Sequence, residues 1–446
     1  TGDNIVLAGG ATQSGFGRTG TVDWQTTPKT TGTFTAVSGE GYFLNTSGGV
    51  ITANLPAGVA GAIVSFADYA ATWQTSNVTV VPNGTDKIGS VSANVVLNVI
   101  GQSVTFVFVD STQGWINTMD STSNVRGSSF LAATVSGACN TLVTAPCCAN
   151  TKIATFTGPG DFTVTATALC AAQNIVSHLI VAGGGSGGTG CSGGGAGGGG
   201  FREVKNPITP YTASPLDGYA TPANRITVTA QAYPIVIGGG GTGQGVLPNS
   251  CNSDGNRGSN SSFGGIISTG GGGGGDGPGT APTSPGGSGG GGGHSGGTSG
   301  TGNTPPVSPA QGFDGRPSQP STGPAPSDAG GAGGGATAAG TCGSSGHQGG
   351  AGATTSISAT PTAYAGGGGG SNRCGGTSGD VAGGAGGGGR GASNPRPRPA
   401  FDATGQNGTD NTGGGGGAGG SLAPGGPIGG TGTGGSGIVI IRYKFQ

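Results

Sequence analysis

Residues 179–200 read LIVAGGGSGGTGCSGGGAGGGG, an apolar stretch that runs directly into one made almost wholly of glycine. Glycine has no side chain to bury, so this stretch cannot build an ordinary hydrophobic core. It also loses more backbone freedom on folding than any other residue, and a flexible linker is the default expectation. Similar stretches recur up to residue 437 and hold most of the 110 glycines of the chain.

An ordered glycine stretch must pack through its main chain. The strict Gly-X-Y period of collagen is absent. The alternative is an extended left-handed helix of about three residues per turn, packed side by side so that N–H and C=O groups bond between neighbouring helices. We therefore predict a glycine-rich polyglycine II helix bundle over residues 183–446. A C-terminal strand at residues 438–443 is expected to close it by pairing with residues 179–182.

The glycine-rich runs are separated by segments of unequal length. Ten runs can be counted: 183–200, 238–245, 270–279, 286–302, 330–340, 346–352, 366–370, 383–391, 413–420 and 425–437. If each run is one pass through the bundle, the long connecting segments lie at the end where the chain comes in. If run 183–200 instead folds back at residues 189–191, they lie at the far end. The sequence leaves both arrangements open.

The predicted fold class is mainly β with non-regular structure, and three domains are expected. Residues 1–127 show short Val-, Ile-, Phe- and Thr-rich runs between turn signals, which predicts an N-terminal antiparallel β-domain for attachment or oligomerisation. Residues 128–182 predict a small β connector, and residues 183–446 form the bundle. The candidate N-terminal strands are 32–37, 41–44, 50–55, 62–66, 78–81, 93–99 and 103–109. The three tryptophans are expected in the core or at its edge.

Composition argues against several functional classes. Charged residues make up 7% of the chain and the net charge is −1, which argues against a nucleic-acid partner. No apolar run has the roughly 18 residues of a membrane span. The three histidines, at 178, 294 and 347, are far apart and lack metal-ligand spacing. We therefore expect no enzyme, no metal and no cofactor.

The eight cysteines allow more than one interpretation. They are Cys139, Cys147, Cys148, Cys170, Cys191, Cys251, Cys342 and Cys374. The even number permits disulfides that would staple the middle region and the loops, whereas a protein made in a reducing cytosol would keep free thiols. A zinc site is less favoured because no Cys-x₂-Cys pair is present.

The segments between glycine runs hold the side chains suited to recognition. Phe313 and Arg316 lie in segment 303–329, and Arg396, Arg398 and Phe401 lie in the proline-rich segment 392–412. Arginine and aromatic residues are common binding anchors, and prolines reduce the entropy lost on binding. These five residues are the candidate receptor-binding set. The alternative is that they cap the bundle and shield its backbone ends.

Three groups of residues resemble structural proteins of marine bacteriophages. They are residues 2–10 with 82–88 and 110–116, residues 179–185 at the opening of the glycine-rich part, and residues 434–443 at its close. Together they resemble a glycine-rich tail-fibre or adhesin protein of a tailed bacteriophage. The N-terminal domain departs from that of the well-known fibre-tip adhesins.

This resemblance implies a function and a setting. Phage adhesins of this kind present receptor-reading loops on a polyglycine II sandwich. The implied location is the tail fibre of a virion, as a homotrimer in contact with other tail proteins and with a host-surface glycan or outer-membrane protein. Two alternatives stay open: a purely structural virion or extracellular filament protein without a ligand, and an ice-binding protein. The irregular proline-rich segments argue against the ice-binding alternative.

Overall fold

A computed structural model describes most of the chain, which divides into two compact units, Thr1–Gly127 and Ser128–Gln446. The described residues are 22–121, 130–146, 148–168, 170–190, 192–246, 253–276, 284–294, 296–319, 329–341, 347–372, 381–393, 404–420 and 428–445. They form strands, irregular segments and three short 3₁₀ turns at Thr46–Gly48, Ala171–Asn174 and Pro222–Asn224, and contain no α-helix. The predicted mainly β and non-regular character is confirmed.

The first unit contains nine strands in its described part. They are β1 Asp23–Lys29, β2 Gly32–Thr35, β3 Glu40–Leu44, β4 Ile51–Asn54, β5 Ile63–Asp68, β6 Val78–Val81, β7 Val95–Leu97, β8 Ser103–Asp110 and β9 Gly114–Ser121. Successive strands alternate between two sheets through β6. One sheet has the order β1-β3-β5-β8-β9, and the other has the order β2-β4-β6-β7.

The predicted antiparallel pairing is wrong for the four strand pairs that form among the first six of these strands. β1, β3 and β5 pair in parallel, and so do β2, β4 and β6. Each of the strands β1 to β5 is followed by a strand in the opposite sheet, so the chain crosses over and returns in its original direction. The antiparallel pairs of this unit are β5 with β8, β6 with β7 and β8 with β9. The alternation between sheets supplies the crossover that parallel pairing requires.

The two sheets of this unit enclose one aromatic and aliphatic core. Trp73 and Trp115 are fully buried there, together with Phe66. Trp24 lies on edge strand β1, remains 40% exposed and packs against Phe43 with ring centroids 4.9 Å apart. The tryptophans therefore occupy core and edge positions, as predicted.

The second unit is built on an antiparallel sheet. The described strands of this unit are β10 Ala132–Val135, β11 Thr141–Thr144, β12 Thr151–Phe156, β13 Gly160–Ala166, β14 Ile175–Val181, β15 Phe201–Val204, β16 Ile226–Thr227, β17 Ala232–Ile235, β18 Ser261–Phe263, β19 Ile266–Ser268, β20 Ala353–Thr355, β21 Thr362–Tyr364 and β22 Ile438–Lys444. The main sheet has the order β11-β12-β22-β14-β15, with β16 also on β14. We call this sheet the base.

The predicted pairing of the two terminal apolar strands is confirmed. β14 and β22 are antiparallel, with Val181 opposite Ile438 and Leu179 opposite Ile440. On its other side β22 pairs with β12, so strands from residues 128–182 share one sheet with the end of the chain. The glycine-rich body thus starts and finishes side by side on the base.

Above the base, the glycine-rich chain bonds in a three-residue cycle. In segment 183–189 the N–H groups of Gly183, Ser186 and Thr189 donate to the carbonyls of residues 259, 256 and 253 at 2.8–3.1 Å. Residues 184 and 187 donate to residues 435 and 432, and residues 185 and 188 donate to residues 197 and 194. Segment 192–200 repeats the cycle, with residues 194, 197 and 200 donating to residues 275, 272 and 269. Successive amides therefore point to three different neighbours in turn.

Each central segment is surrounded by six others. The carbonyls of segment 183–189 accept from three further segments, through the N–H groups of Gly241, Gly271 with Gly274, and Gly416 with Gly419. Segment 192–200 likewise donates to three segments and accepts from three others. Backbone groups buried here are satisfied between segments, which meets the requirement that buried peptide groups be paired.

Run 183–200 is two antiparallel passes. Gly185 donates to Gly197 and Gly188 donates to Gly194, so the chain folds back between them. The fold-back is therefore the arrangement that the chain adopts. The accompanying prediction, that the long connecting segments lie at the end remote from the base, is wrong for residues 353–365, which form hairpin β20–β21 and bond to base strand β15 through the Thr355 hydroxyl and Glu203. The residues that flank segments 320–328, 373–380, 394–403 and 421–427 lie at the end remote from the base, linked through the bridges Gln319–Ala329, Ala329–Asn372 and Ser192–Gly420. We call this the far end.

Candidate functional site

Phe313 and Arg316 lie within a pass of the glycine-rich body. The N–H of Phe313 donates to Gly335 at 3.0 Å and its carbonyl accepts from Gly289 at 2.9 Å. Arg316 donates to Ala332 at 2.9 Å and accepts from Gly292 at 2.8 Å. The prediction that these residues belong to a connecting loop is wrong, because inter-segment bonding needs only the backbone and tolerates large side chains on the outside.

The side chains of this pass form a short external row. Phe313 is 42% exposed, and Arg316 and Gln319 are exposed at the two following three-residue steps. At about 3.1 Å per residue, an extended three-residue helix spaces such side chains by about 9 Å. Asp314 is also exposed, but its Oδ1 is engaged by the protein, since it accepts from the Gly302 N–H at 2.7 Å. The row offers one aromatic ring, one cation and one amide.

The other predicted receptor-binding residues, Arg396, Arg398 and Phe401, lie outside the described residues. Their segment leaves and re-enters the described chain at the far end. On one side Ala392 donates to Ala418 at 2.8 Å, and on the other Gln406 donates to Arg390 at 2.8 Å. Of the five predicted residues, the structure places Phe313 and Arg316 three residues apart on one pass.

Polar side chains on the perimeter satisfy backbone groups that have no further glycine segment beside them. The Oδ1 atoms of Asn407 and Asp410, three residues apart, accept from the N–H groups of Thr433 and Ser436 at 2.9 and 3.1 Å. Asn260 accepts from Gly270 in the same way at 2.9 Å. These residues were not predicted from the sequence. Asn and Asp at three-residue spacing beside glycine would have been the signal.

A buried polar cluster connects two loop regions, around residues 210 and 357, to the base. Arg442 is fully buried on β22. Its guanidinium donates to the carbonyls of Pro210 at 2.9 Å and Ile357 at 3.3 Å. The Tyr211 ring lies 5.3 Å from that cation, and burial raises the pKa of its phenol. This arrangement was not predicted, although an arginine within the apolar run at 438–443 is an evident signal.

Glu203 completes this cluster from β15. Its carboxylate accepts from the Ser214 N–H at 2.8 Å and from the Thr355 hydroxyl. Burial raises the pKa of Glu203, while these hydrogen bonds act in the opposite direction. The carboxylate thus holds residue 214 and hairpin β20–β21 against the sheet. Its oxygens are engaged by the protein itself, so the cluster serves as a structural clamp.

His178 is enclosed in the apolar core of the base. Its ring packs edge-on to Phe263 at a centroid distance of 6.1 Å, and burial lowers its pKa from 6.5 to about 3. Burial also lowers the pKa of His347. Over the described ranges, no group of three or more His, Cys, Asp or Glu side chains could hold a metal ion.

Two of the eight cysteines are exposed free thiols, Cys139 and Cys170. The sulfur of Cys148 lies 3.8 Å from the Pro210 carbonyl. The remaining cysteines, at 147, 191, 251, 342 and 374, fall outside the described residues. In the part of the chain that the structure covers, no helix has the length and apolar character needed to cross a membrane.

Comparison with known proteins supports the glycine-rich character of the chain. A family model described as "Glycine-rich domain" matches residues 156–444. The match begins at the last residue of β12, includes β14 and all the glycine passes, and ends with β22. No curated protein matches the chain.

Proposed function

The chain belongs to the glycine-rich domain family, and from that premise we propose that its glycine-rich body is a polyglycine II bundle within a virion tail-fibre or adhesin protein. The bundle would hold receptor-reading segments on a rigid support. The proposed setting is the tail fibre of a bacteriophage particle, as a homotrimer that contacts other tail proteins and a host-surface glycan or outer-membrane protein.

The three-residue bonding cycle supports the bundle. An extended helix with three residues per turn and no internal hydrogen bonds must bond outward, and its amides then point to three neighbours in rotation. Segments 183–189 and 192–200 both show this rotation. A β-strand would instead alternate between two directions. The fully buried glycines of both segments allow the close approach that this packing needs.

The arrangement of passes supports presentation of a binding surface. Four segments, 320–328, 373–380, 394–403 and 421–427, leave and rejoin the described body at the far end. A support whose backbone is bonded on all sides limits the freedom of what it carries, and preorganised segments lose less entropy on binding. Their sequences can vary without touching the bonded interior, which suits a receptor reader. The single observation that carries the proposal is that the described residues flanking these four segments lie together at one end of the body.

Adsorption of the purified protein to host cells tests the proposal. Segments 320–328 and 394–403 would be replaced by Gly-Ser linkers of equal length, together and singly. A second variant, Phe313→Ala with Arg316→Ala, tests the external row. Ile267→Ala, at an exposed position on strand β19, is the matched surface control. We expect the double replacement to abolish adsorption and the control to retain it.

The outcome also separates the two leading functions. If the double replacement keeps its far-ultraviolet spectrum and still adsorbs like the wild type, the far end is not the receptor reader. If the wild-type protein itself does not adsorb to any host tested while remaining part of the particle, the structural alternative replaces the adhesin. Loss of adsorption in the variant with Phe313→Ala and Arg316→Ala alone would instead indicate a receptor-binding site on the side of the glycine-rich body.

A further inference from the structure

Two identical tripeptides, Asn83-Gly84-Thr85 and Asn407-Gly408-Thr409, occur in very different surroundings. An Asn-Gly pair can rearrange when the glycine backbone nitrogen attacks the side-chain amide carbon of the asparagine. The absent glycine side chain leaves that approach open and the backbone free to adopt the required conformation. Because the two tripeptides share their local chemistry, the fold alone decides which of them reacts.

The first tripeptide lies free in a turn after β6. Asn83, Gly84 and Thr85 are all exposed, and Gly84 has a φ of +51° with nothing within 4 Å of its Cβ position. Among the described residues, neither the Asn83 side chain nor the Gly84 N–H has a hydrogen-bond partner. Only the Asn83 carbonyl is engaged, accepting from Asp86 at 2.8 Å. Both reacting groups are therefore available.

The second tripeptide is held at both reacting atoms. The Asn407 Oδ1 accepts from the Thr433 N–H at 2.9 Å, which fixes the side chain against the neighbouring pass. The Gly408 N–H donates to the Thr433 carbonyl at 2.8 Å. For the reaction to proceed, this N–H must be deprotonated and both hydrogen bonds must break, each at a net cost of about 1 kcal/mol.

We propose that Asn83 is a site of spontaneous deamidation in the native protein and that Asn407 is protected from it. The Gly84 nitrogen loses its proton and forms a bond to Cγ of Asn83, and the Cγ–N bond breaks to release ammonia. Water then opens the resulting succinimide at either carbonyl. The products are aspartate, or isoaspartate with an extra methylene in the main chain. Each event adds one negative charge to the first unit, close to Asp86, whose Oδ2 accepts from the Gly58 N–H at 2.8 Å.

Peptide mass spectrometry of the full chain tests this proposal. The native protein is incubated at mildly alkaline pH, digested, and the peptides containing positions 83 and 407 are separated into Asn, Asp and isoAsp forms. A parallel sample is incubated in denaturant. We expect conversion at Asn83 to be at least several-fold faster than at Asn407 in the native protein, and the two rates to converge in denaturant.

Variants provide an independent readout. Asn83→Gln should remove the acidic species that accumulate on native charge separation, whereas Asn407→Gln should leave them. Equal native rates at the two positions, faster native conversion at Asn407, or an Asn83 that reacts only in denaturant would each overturn the proposal.

Discussion

Replacing Gly198 by alanine tests whether the glycine-rich body is packed through its backbone. Gly198 lies in the central pass 192–200, where its N–H donates to Gly334 at 3.0 Å. A Cβ placed there would stand 2.6 Å from the carbonyl oxygen of Ala365 and 3.0 Å from that of Gly366. Ordinary van der Waals contact begins at 3.4 Å, so the nearer carbonyl must move by about 0.8 Å.

The expected loss of stability follows from what those two carbonyls do. They accept from the N–H groups of Ala336 at 3.0 Å and Gly415 at 2.9 Å, so displacement weakens two buried hydrogen bonds of about 1 kcal/mol each. Overpacking adds about 1–3 kcal/mol. The smaller entropy of an unfolded chain with alanine in place of glycine offsets about 0.4–1 kcal/mol. We expect Gly198→Ala to lower the free energy of unfolding of the second unit by about 2–4 kcal/mol.

Gly239 is the matched control. It lies in a glycine run, its carbonyl accepts from Ser259 at 2.9 Å, and nothing lies within 4 Å of its Cβ position. Gly239→Ala should be neutral or stabilise the protein by up to about 1 kcal/mol. Both variants have the same composition, so only the packing at the two positions differs.

Urea unfolding observed by two probes provides the assay. All three tryptophans, Trp24, Trp73 and Trp115, lie in the first unit, so their fluorescence reports that unit alone. Amide hydrogen exchange, resolved by peptide, reports the second unit. Gly198→Ala should shift only the exchange transition of the second unit. Equal stability of Gly198→Ala and Gly239→Ala would refute backbone packing and favour a loose chain.

Three further predictions follow from other positions. Gly291→Val should destabilise the second unit more than Gly198→Ala does, because the valine Cβ would press on the Gly331 carbonyl and the two further methyl groups need additional room. Thermal melts of Gly291→Val that match the wild type would contradict this. His178 stays neutral in the fold, while in the unfolded chain it takes up a proton below about pH 6.5, so the free energy of unfolding should fall as pH drops from 6.5 towards 3, by up to about 1.4 kcal/mol per pH unit. His178→Leu should flatten that pH dependence. Equal pH profiles for the variant and the wild type would show that His178 does not cause it. Native mass measurement should give three times the 41.6 kDa of one chain, and a monomer at all concentrations would contradict the proposed trimer.

Strand positions were predictable, whereas strand partners were not. The run at 78–81 has the apolar and β-branched pattern of a strand and forms β6. Its parallel pairing with β4 depends on which sheet each successive strand enters, and the local pattern carries no record of that choice. By contrast, β14 and β22 are long apolar strands that bracket the glycine-rich region, so their pairing was predictable.

The candidate site was harder to predict for a related physical reason. A glycine run identifies itself by composition, yet the passes also include residues such as Phe313 and Arg316, whose backbones bond like those of glycine. Only the direction in which a side chain points decides whether it is tolerated. The sequence allowed the fold-back at residues 189–191 without requiring it, because Ser186 also interrupts the glycines of this run and yet lies within a straight pass.

The three-residue bonding cycle restricts which insertions and deletions the glycine-rich body can accept during evolution. Deleting or inserting one residue inside pass 183–189 would turn every later amide of that pass towards the wrong neighbour, while a change of three residues would restore the rotation. Length variation within passes must therefore occur in multiples of three, and connections outside them are free of this rule. Related sequences should show gaps of any size between passes and triplet gaps within them. An alignment of natural variants could thus locate the passes without any structure.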